Sequence, residues 1–152
     1  MKILSVLSRL ALAAIFIYSA YAKLKDPWFV FAASIDSYRM LPSGATIWIA
    51  KTLPWFELFL GVLLVIGFRV KWVAIACGVL LAGFWLSMLR AYLKGMDIDC
   101  GCFGPGERIS ILTLLRDSLM VILAGVVWWS ARRRSNPSVS SPAHIDEGVL
   151  PA

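Results

Sequence analysis

Four stretches of this chain are apolar over lengths that match the thickness of a lipid bilayer, and nothing else in the sequence constrains the fold as strongly. A helix needs about 20 predominantly apolar residues to cross the hydrocarbon core, and the blocks at about 3–24, 45–67, 71–93 and 109–131 each supply that length. Inside lipid, backbone N–H and C=O groups find no water, so each block must satisfy its own backbone as a helix. The expected fold class is therefore all-α: a four-transmembrane-helix bundle with a short interfacial helix after the first span. Composition agrees. Hydrophobic residues make up 60% of the 152-residue chain and charged residues 16%, against about 25% charged in soluble domains.

The connections between blocks carry their own signals. The first block is interrupted by Arg9 and ends near Tyr18 and Tyr21, which suit an interfacial aromatic anchor. Its basic start and the Ala20-x-Ala22 spacing also fit a cleavable signal peptide; a retained span is preferred because further spans follow. Pro27 breaks the chain and can open a new helix, and Trp28 to Met40 reads as a short helix lying at the interface. The second span holds Lys51, Pro54 and Glu57. The turn from Gly67 to Lys71 is so short that spans two and three are expected to be antiparallel neighbours. Trp72 to Leu89 carries no charge, and its small residues Ala76, Gly78, Ala82 and Gly83 would permit close helix approach. After the fourth span, Arg132, Arg133 and Arg134 act as a basic stop, and the polar, Ser/Pro-rich stretch to residue 152 is expected to be a disordered tail.

Net charge is +6 and the isoelectric point about 9.6. Because the basic residues flank the apolar blocks, they set topology and meet lipid headgroups rather than nucleic acid. One side collects Lys2, Arg9, Arg69, Lys71, Arg132, Arg133 and Arg134. The other collects Lys23, Lys25, Arg39, Lys51, Arg90, Lys94, Arg108 and Arg116. That is seven against eight of 15. The first group lies more densely at span ends, which places both termini in the cytoplasm of a bacterial inner (plasma) membrane and the loop before span four outside.

That loop holds the most informative motif, Cys100-Gly101-Cys102-Phe103-Gly104, followed by Pro105 and Gly106. Two thiols one glycine apart can close a small, strained disulfide, which favours exchange over permanent cross-linking. So local a bridge restricts almost no chain, so a purely structural role would gain little. Cys100 and Cys102 are thus the candidate catalytic residues. Inert thiols remain open, as does a Cu(I) site using Met96, since soft sulfur ligands suit that ion. A structural zinc site lacks ligands, because the single histidine, His144, lies in the tail; no resident metal is expected. The third cysteine, Cys77, would sit about 24 Å along span three from its outer end, too far to join the pair, and is assigned to packing.

Glu57 is the second signal. An ionisable residue near mid-membrane costs about 2.5–3.5 kcal/mol on insertion scales and is a functional candidate by default. Measured from the inner ends of their spans, Glu57 and Arg9 lie at depths that would let them pair. Lys51 and Asp117 have matching depths from the outer ends. Packing and proton or quinone chemistry both remain open for Glu57.

Taken together, Ser19-Ala20-Tyr21-Ala22-Lys23-Leu24-Lys25-Asp26-Pro27, Leu53-Pro54-Trp55-Phe56-Glu57-Leu58-Phe59-Leu60-Gly61 and Cys100-Gly101-Cys102-Phe103-Gly104 resemble the MauE branch of the DoxX-like membrane proteins, over residues 1 to about 131. Ala stands where many relatives carry Gly before the lysine of span one. The resemblance implies a role in methylamine utilisation, helping to mature a disulfide-rich dehydrogenase subunit beside a thioredoxin-like partner, with quinone as a possible electron carrier. Of the residues, it carries over Cys100 and Cys102 only. The expected function is thiol–disulfide exchange with a thioredoxin-fold or client protein. A non-catalytic subunit of a larger membrane complex and a copper-handling protein are the competing readings.

Overall fold

A computed structural model describes residues 2–96, 98–100 and 108–134. The expected tail and Cys102 lie outside them. Five helices follow in order: α1 (Lys2–Lys25), α2 (Trp28–Ser37), α3 (Ser43–Ile66), α4 (Val70–Leu93) and α5 (Ile111–Arg134). All but α2 have 24 residues, about 36 Å of helix, and all four are apolar enough to cross a bilayer. This is a multi-pass membrane protein of the all-α class.

Local sequence sets the helix ends. Pro27 precedes α2 with φ −57° and ψ 139°, and Pro42 precedes α3 in extended conformation. Gly67 closes α3 at φ 83°, its N–H donating to the Leu63 carbonyl, the left-handed geometry glycine adopts most easily. Arg69, also left-handed at φ 40°, opens α4. Ser110 and Thr113 cap α5 reciprocally. The Ser110 N–H donates to Thr113 Oγ1 at 2.8 Å and the Thr113 N–H to Ser110 Oγ at 3.3 Å, a capping-box arrangement with Thr in the usual Glu position.

The bundle is built from two helix pairs. Helix α3 packs chiefly on α1 and α4 chiefly on α5, with α1 also touching α5. Leu12, Ala13 and Phe16 of α1 meet Leu60 and Leu64 of α3, Val73, Ala74 and Cys77 of α4, and Ala124 and Val127 of α5 in the main core. Cys77 is fully buried there, as its packing assignment requires. Gly61 permits the α1–α3 contact: a Cβ at that position would stand 2.7 Å from Ile17 Cγ1 and 3.3 Å from the Ala13 carbonyl oxygen. Large apolar residues such as Ile66, Leu86, Leu112 and Leu119 are exposed on the outside of the bundle, the surface that lipid covers.

The packing sharpens two expectations about span three. The short turn does join antiparallel helices, yet α3 and α4 share a smaller interface than either shares with its main partner. A tight turn ties neighbouring helices at one end only, and here they part toward the other. Of the small residues, Gly78 faces a helix, with Ala124 Cβ 3.8 Å from where its own Cβ would be, whereas Gly83 has nothing within 4 Å and lines the cavity left by that parting.

Candidate functional site

The end of the bundle that carries α2 holds two adjoining features: a buried ion pair and the cysteine segment. The ion pair joins α1 to α3. Lys23 Nζ lies 2.8 Å from both Glu57 Oε1 and Glu57 Oε2 and 2.7 Å from Ser19 Oγ. An ammonium has three protons to donate, and these are three acceptors. Ser19 in turn donates to Glu57 Oε2 at 3.1 Å. The side chains of Lys23 and Glu57 are 2% and 5% exposed, and the rings of Phe31 and Phe84 each have their centroid 5.3 Å from the ammonium. Asp117, buried and paired with Arg116 at 3.2 Å, lines the same small cavity of about 30 Å³ as Ser19, Lys23 and Glu57.

This arrangement replaces both expected pairings. Glu57 pairs with Lys23 rather than Arg9, because α1 and α3 are offset along their axes. Ile17 lies opposite Gly61 and Ser19 reaches Glu57, so Arg9 comes level with the turn after α3. There its Nη1 would lie 2.6 Å from a Cβ at Gly67. Lys23, in the last turn of α1, comes level with the middle of α3. Lys51 does not meet Asp117 either. The first turns of α3 extend past α1 and pack on α2, and Lys51 Nζ sits 4.6 Å from the centroid of the Trp28 ring. Sequence reasoning had placed Lys23 among the topology-setting flanks. The available signal was the i, i+4 spacing of Ser19 and Lys23, which puts both on one helix face.

Cys100 is buried at 2% exposure, packed with Met88 of α4 and Leu114 of α5 and flanked by Tyr38, Phe84 and Trp85. The Tyr38 hydroxyl donates to the Cys100 carbonyl at 3.0 Å. The loop is pinned at its base, where Asp99 and Arg108 form an antiparallel bridge and the Ile109 N–H donates to the Ile98 carbonyl at 3.2 Å. Trp85 Nε1 holds α4 to α5 just below, donating to Ser118 Oγ at 2.9 Å. Cys100 also lines a cavity of about 490 Å³ between α2, α3 and α4, whose walls include Phe31, Leu53, Val79 and Phe84. Such a volume falls within the roughly 300–1,000 Å³ of small-molecule sites. Tyr38, Ser34 and Ser87 are its polar side chains. Among the described residues, no cluster of three His, Cys, Asp or Glu side chains could hold a metal ion.

Phe84 belongs to both features. It lies against the Lys23 ammonium and packs beside Cys100. The three sequence motifs that resembled one family thus converge at one end of the bundle: the first supplies Ser19 and Lys23, the second Glu57, and the third Cys100.

Comparison with known proteins agrees. No solved structure matches the chain. The methylamine utilisation protein MauE of Paracoccus denitrificans is 33% identical over 144 residues, covering 93% of this chain and 74% of its own length. The family model described as "Methylamine utilisation protein MauE" matches residues 1–130, so the chain belongs to the MauE family.

Proposed function

We propose that this protein is a membrane accessory of methylamine utilisation that exchanges disulfides through Cys100 and Cys102. In this reading the pair lies on the extracytoplasmic side, both termini are cytoplasmic, and the membrane is the bacterial inner membrane. A client such as methylamine dehydrogenase, or a thioredoxin-fold partner, supplies the dithiol. Family membership supports the pathway. The observation that carries the chemistry is the environment of Cys100: buried, held through its carbonyl by Tyr38, and lining an apolar cavity.

The burial of Cys100 suits it to the second step. A partner thiolate must reach the sulfur it attacks, and Cys100 is shielded by Met88, Leu114 and Tyr38. Cys102 is then the cysteine that forms the mixed disulfide with the partner, and Cys100 the one that resolves it and faces the cavity. One turnover converts two partner thiols to a disulfide and leaves Cys100 and Cys102 as thiols. Their reoxidation releases two electrons and two protons. A lipid-soluble acceptor of the quinone class would take these up; the apolar walls suit its ring and tail, and Tyr38, Ser34 and Ser87 are the polar groups within reach. Asp99 and Arg108, bridged at the loop base, help to hold Cys100 against that cavity.

The test is the thiol state of a client dithiol in cells carrying Cys100→Ser, Cys102→Ser or both. Each variant should accumulate normally and leave the client reduced, and Cys100→Ser should trap a mixed disulfide through Cys102. A double variant that oxidises its client as well as the parent overturns the redox assignment and favours a non-catalytic subunit.

A further inference from the structure

The opposite end of the bundle contains a second cavity that the proposed chemistry does not use. It has a volume of about 450 Å³ and is lined by Arg9 of α1, Arg69 before α4, Val70 and Lys71 at the start of α4, and Ser130 near the end of α5. Three of these residues are cations, and among the described residues no carboxylate lines the cavity. All five acidic residues among those described (Asp26, Asp36, Glu57, Asp99 and Asp117) lie in mid-bundle or toward the Cys100 end. Among the described residues, Arg69 and Lys71 make ring contacts with Phe68 and Trp72 and no ion pair.

Arg9 is the most telling member. Its Nε is buried without a hydrogen-bond partner among the described residues, and its guanidinium is seated over Gly67, where a Cβ would come within 2.6 Å of Nη1. A buried, unmatched guanidinium N–H is costly. Backbone adds to the same field. Val70 and Lys71 begin α4, and the first N–H groups of a helix lack intrahelical acceptors and form its positive pole. The first amides that do pair are those of Trp72 and Val73, which donate to the Arg69 carbonyl. Guanidinium, ammonium and helix N-terminus converging on one cavity is the chemistry of an oxyanion site.

We infer that this cavity binds a phosphate oxyanion, and that its source is the headgroup of an anionic phospholipid. The location favours lipid over a soluble phosphate. Trp72 is 64% and Trp129 58% exposed at this end, and exposed tryptophans mark the headgroup level of a membrane protein. Arg132 and Arg133, stacked on Trp128 and Trp129, extend the positive field along the same rim. A headgroup phosphate held between α1, the α3–α4 turn and α5 ties together elements of both helix pairs.

The experiment uses the full chain in nanodiscs of phosphatidylcholine alone or with phosphatidylglycerol, reading thermal unfolding and lipid retention by native mass spectrometry. Phosphatidylglycerol should raise the unfolding midpoint and remain bound. Arg9→Gln, and separately Arg69→Gln with Lys71→Gln, should weaken that retention about tenfold or more, the loss expected for a charge-assisted hydrogen bond. Lys94→Gln, a remote exposed cation, should leave it unchanged; it also reports whether any added neutral side chain has the same effect. Protection by inorganic phosphate equal to that by phosphatidylglycerol would keep the oxyanion site and overturn its assignment to lipid. Equal stability in both bilayers without phosphate protection, or phosphatidylglycerol retention that survives both cationic variants, would overturn the site.

Discussion

Two basic residues on the same helix meet opposite fates. Lys23 of α1 is buried with a carboxylate, a hydroxyl and two aromatic rings around its ammonium. Arg9, further toward the start of α1, keeps a buried nitrogen unmatched among the described residues, beside a cavity with two more cations. The first is a closed arrangement in which every donor finds an acceptor within the chain. The second is open and requires an anion from elsewhere. Both carry one positive charge on the same helix; the residues that α3 places opposite each one separate them. A lysine level with Glu57 becomes an internal strut, and an arginine level with a glycine turn becomes one wall of a site.

The largest effect should come from breaking the closed arrangement. Lys23→Met or Glu57→Leu alone leaves a buried, uncompensated charge or forces its neutralisation, at a cost of about 3–5 kcal/mol. Each single variant should therefore fall steeply in accumulation and unfolding midpoint. The double variant Lys23→Met with Glu57→Leu removes both charges together and should recover most of that loss, since apolar replacement of a whole buried pair is often neutral. Thermal unfolding in one detergent across the set checks this. Recovery in the double variant with loss of client oxidation would give the pair a role in proton handling as well as packing. Single variants as stable as the parent would erase the contrast with Arg9.

The offset between α1 and α3 underlies the comparison, and Gly61 tests it. Gly61→Ala must displace Ile17 or the α1 backbone at Ala13, and overpacking of this kind costs about 1–3 kcal/mol. Because Ser19 and Glu57 lie next along the same interface, the variant should also loosen their contact. Gly67→Ala sits at the other end of that interface. Its left-handed φ of 83° disfavours any Cβ, for about 1 kcal/mol, and the methyl would displace the Arg9 guanidinium. It should lower stability less than Gly61→Ala, yet weaken phosphatidylglycerol retention while Gly61→Ala leaves it intact. Unfolding midpoints and native mass spectrometry on the two variants separate these outcomes.

Much of this architecture was legible in the sequence, and the parts that were not share a cause. Spans and turns are local properties: apolar length, Pro27, Pro42 and Gly67 specify where helices begin and end. Glu57 announced itself because a carboxylate in an apolar block is costly wherever it goes. Its partner was misassigned because depths counted from each helix's own end assume that the helices are flush, and α1 and α3 are not. The parting of α3 from α4 was hidden for a related reason. The Gly67–Lys71 turn determines proximity at one end and leaves the other to α2, whose Phe31 and Ala32 are buried with Ala50 of α3. The burial of Cys100 depends on Met88, Leu114 and Tyr38, which come from three other parts of the chain, and no spacing within Cys100-Gly101-Cys102 encodes it.

Tyr38 provides the smallest and most selective change. Tyr38→Phe keeps the ring beside Cys100 and removes the hydroxyl that donates to the Cys100 carbonyl, a net loss of about 0.5–1.5 kcal/mol for one hydrogen bond. Global stability should hardly move, because the helix pairs and the Lys23–Glu57 contact are untouched. The effect should instead appear at the cysteine segment. With its carbonyl released, Cys100 should leave its buried position more often, and alkylation of that thiol in the reduced protein should accelerate severalfold, while Cys77 in the main core stays protected. Since the division of labour rests on Cys100 being shielded, Tyr38→Phe should also let partner thiols attack either cysteine, so that mixed disulfides trapped through Cys100 appear beside those through Cys102. An unchanged alkylation rate would mean that Met88 and Leu114 alone hold Cys100 in place, and the hydroxyl would then matter to the cavity rather than to the cysteine.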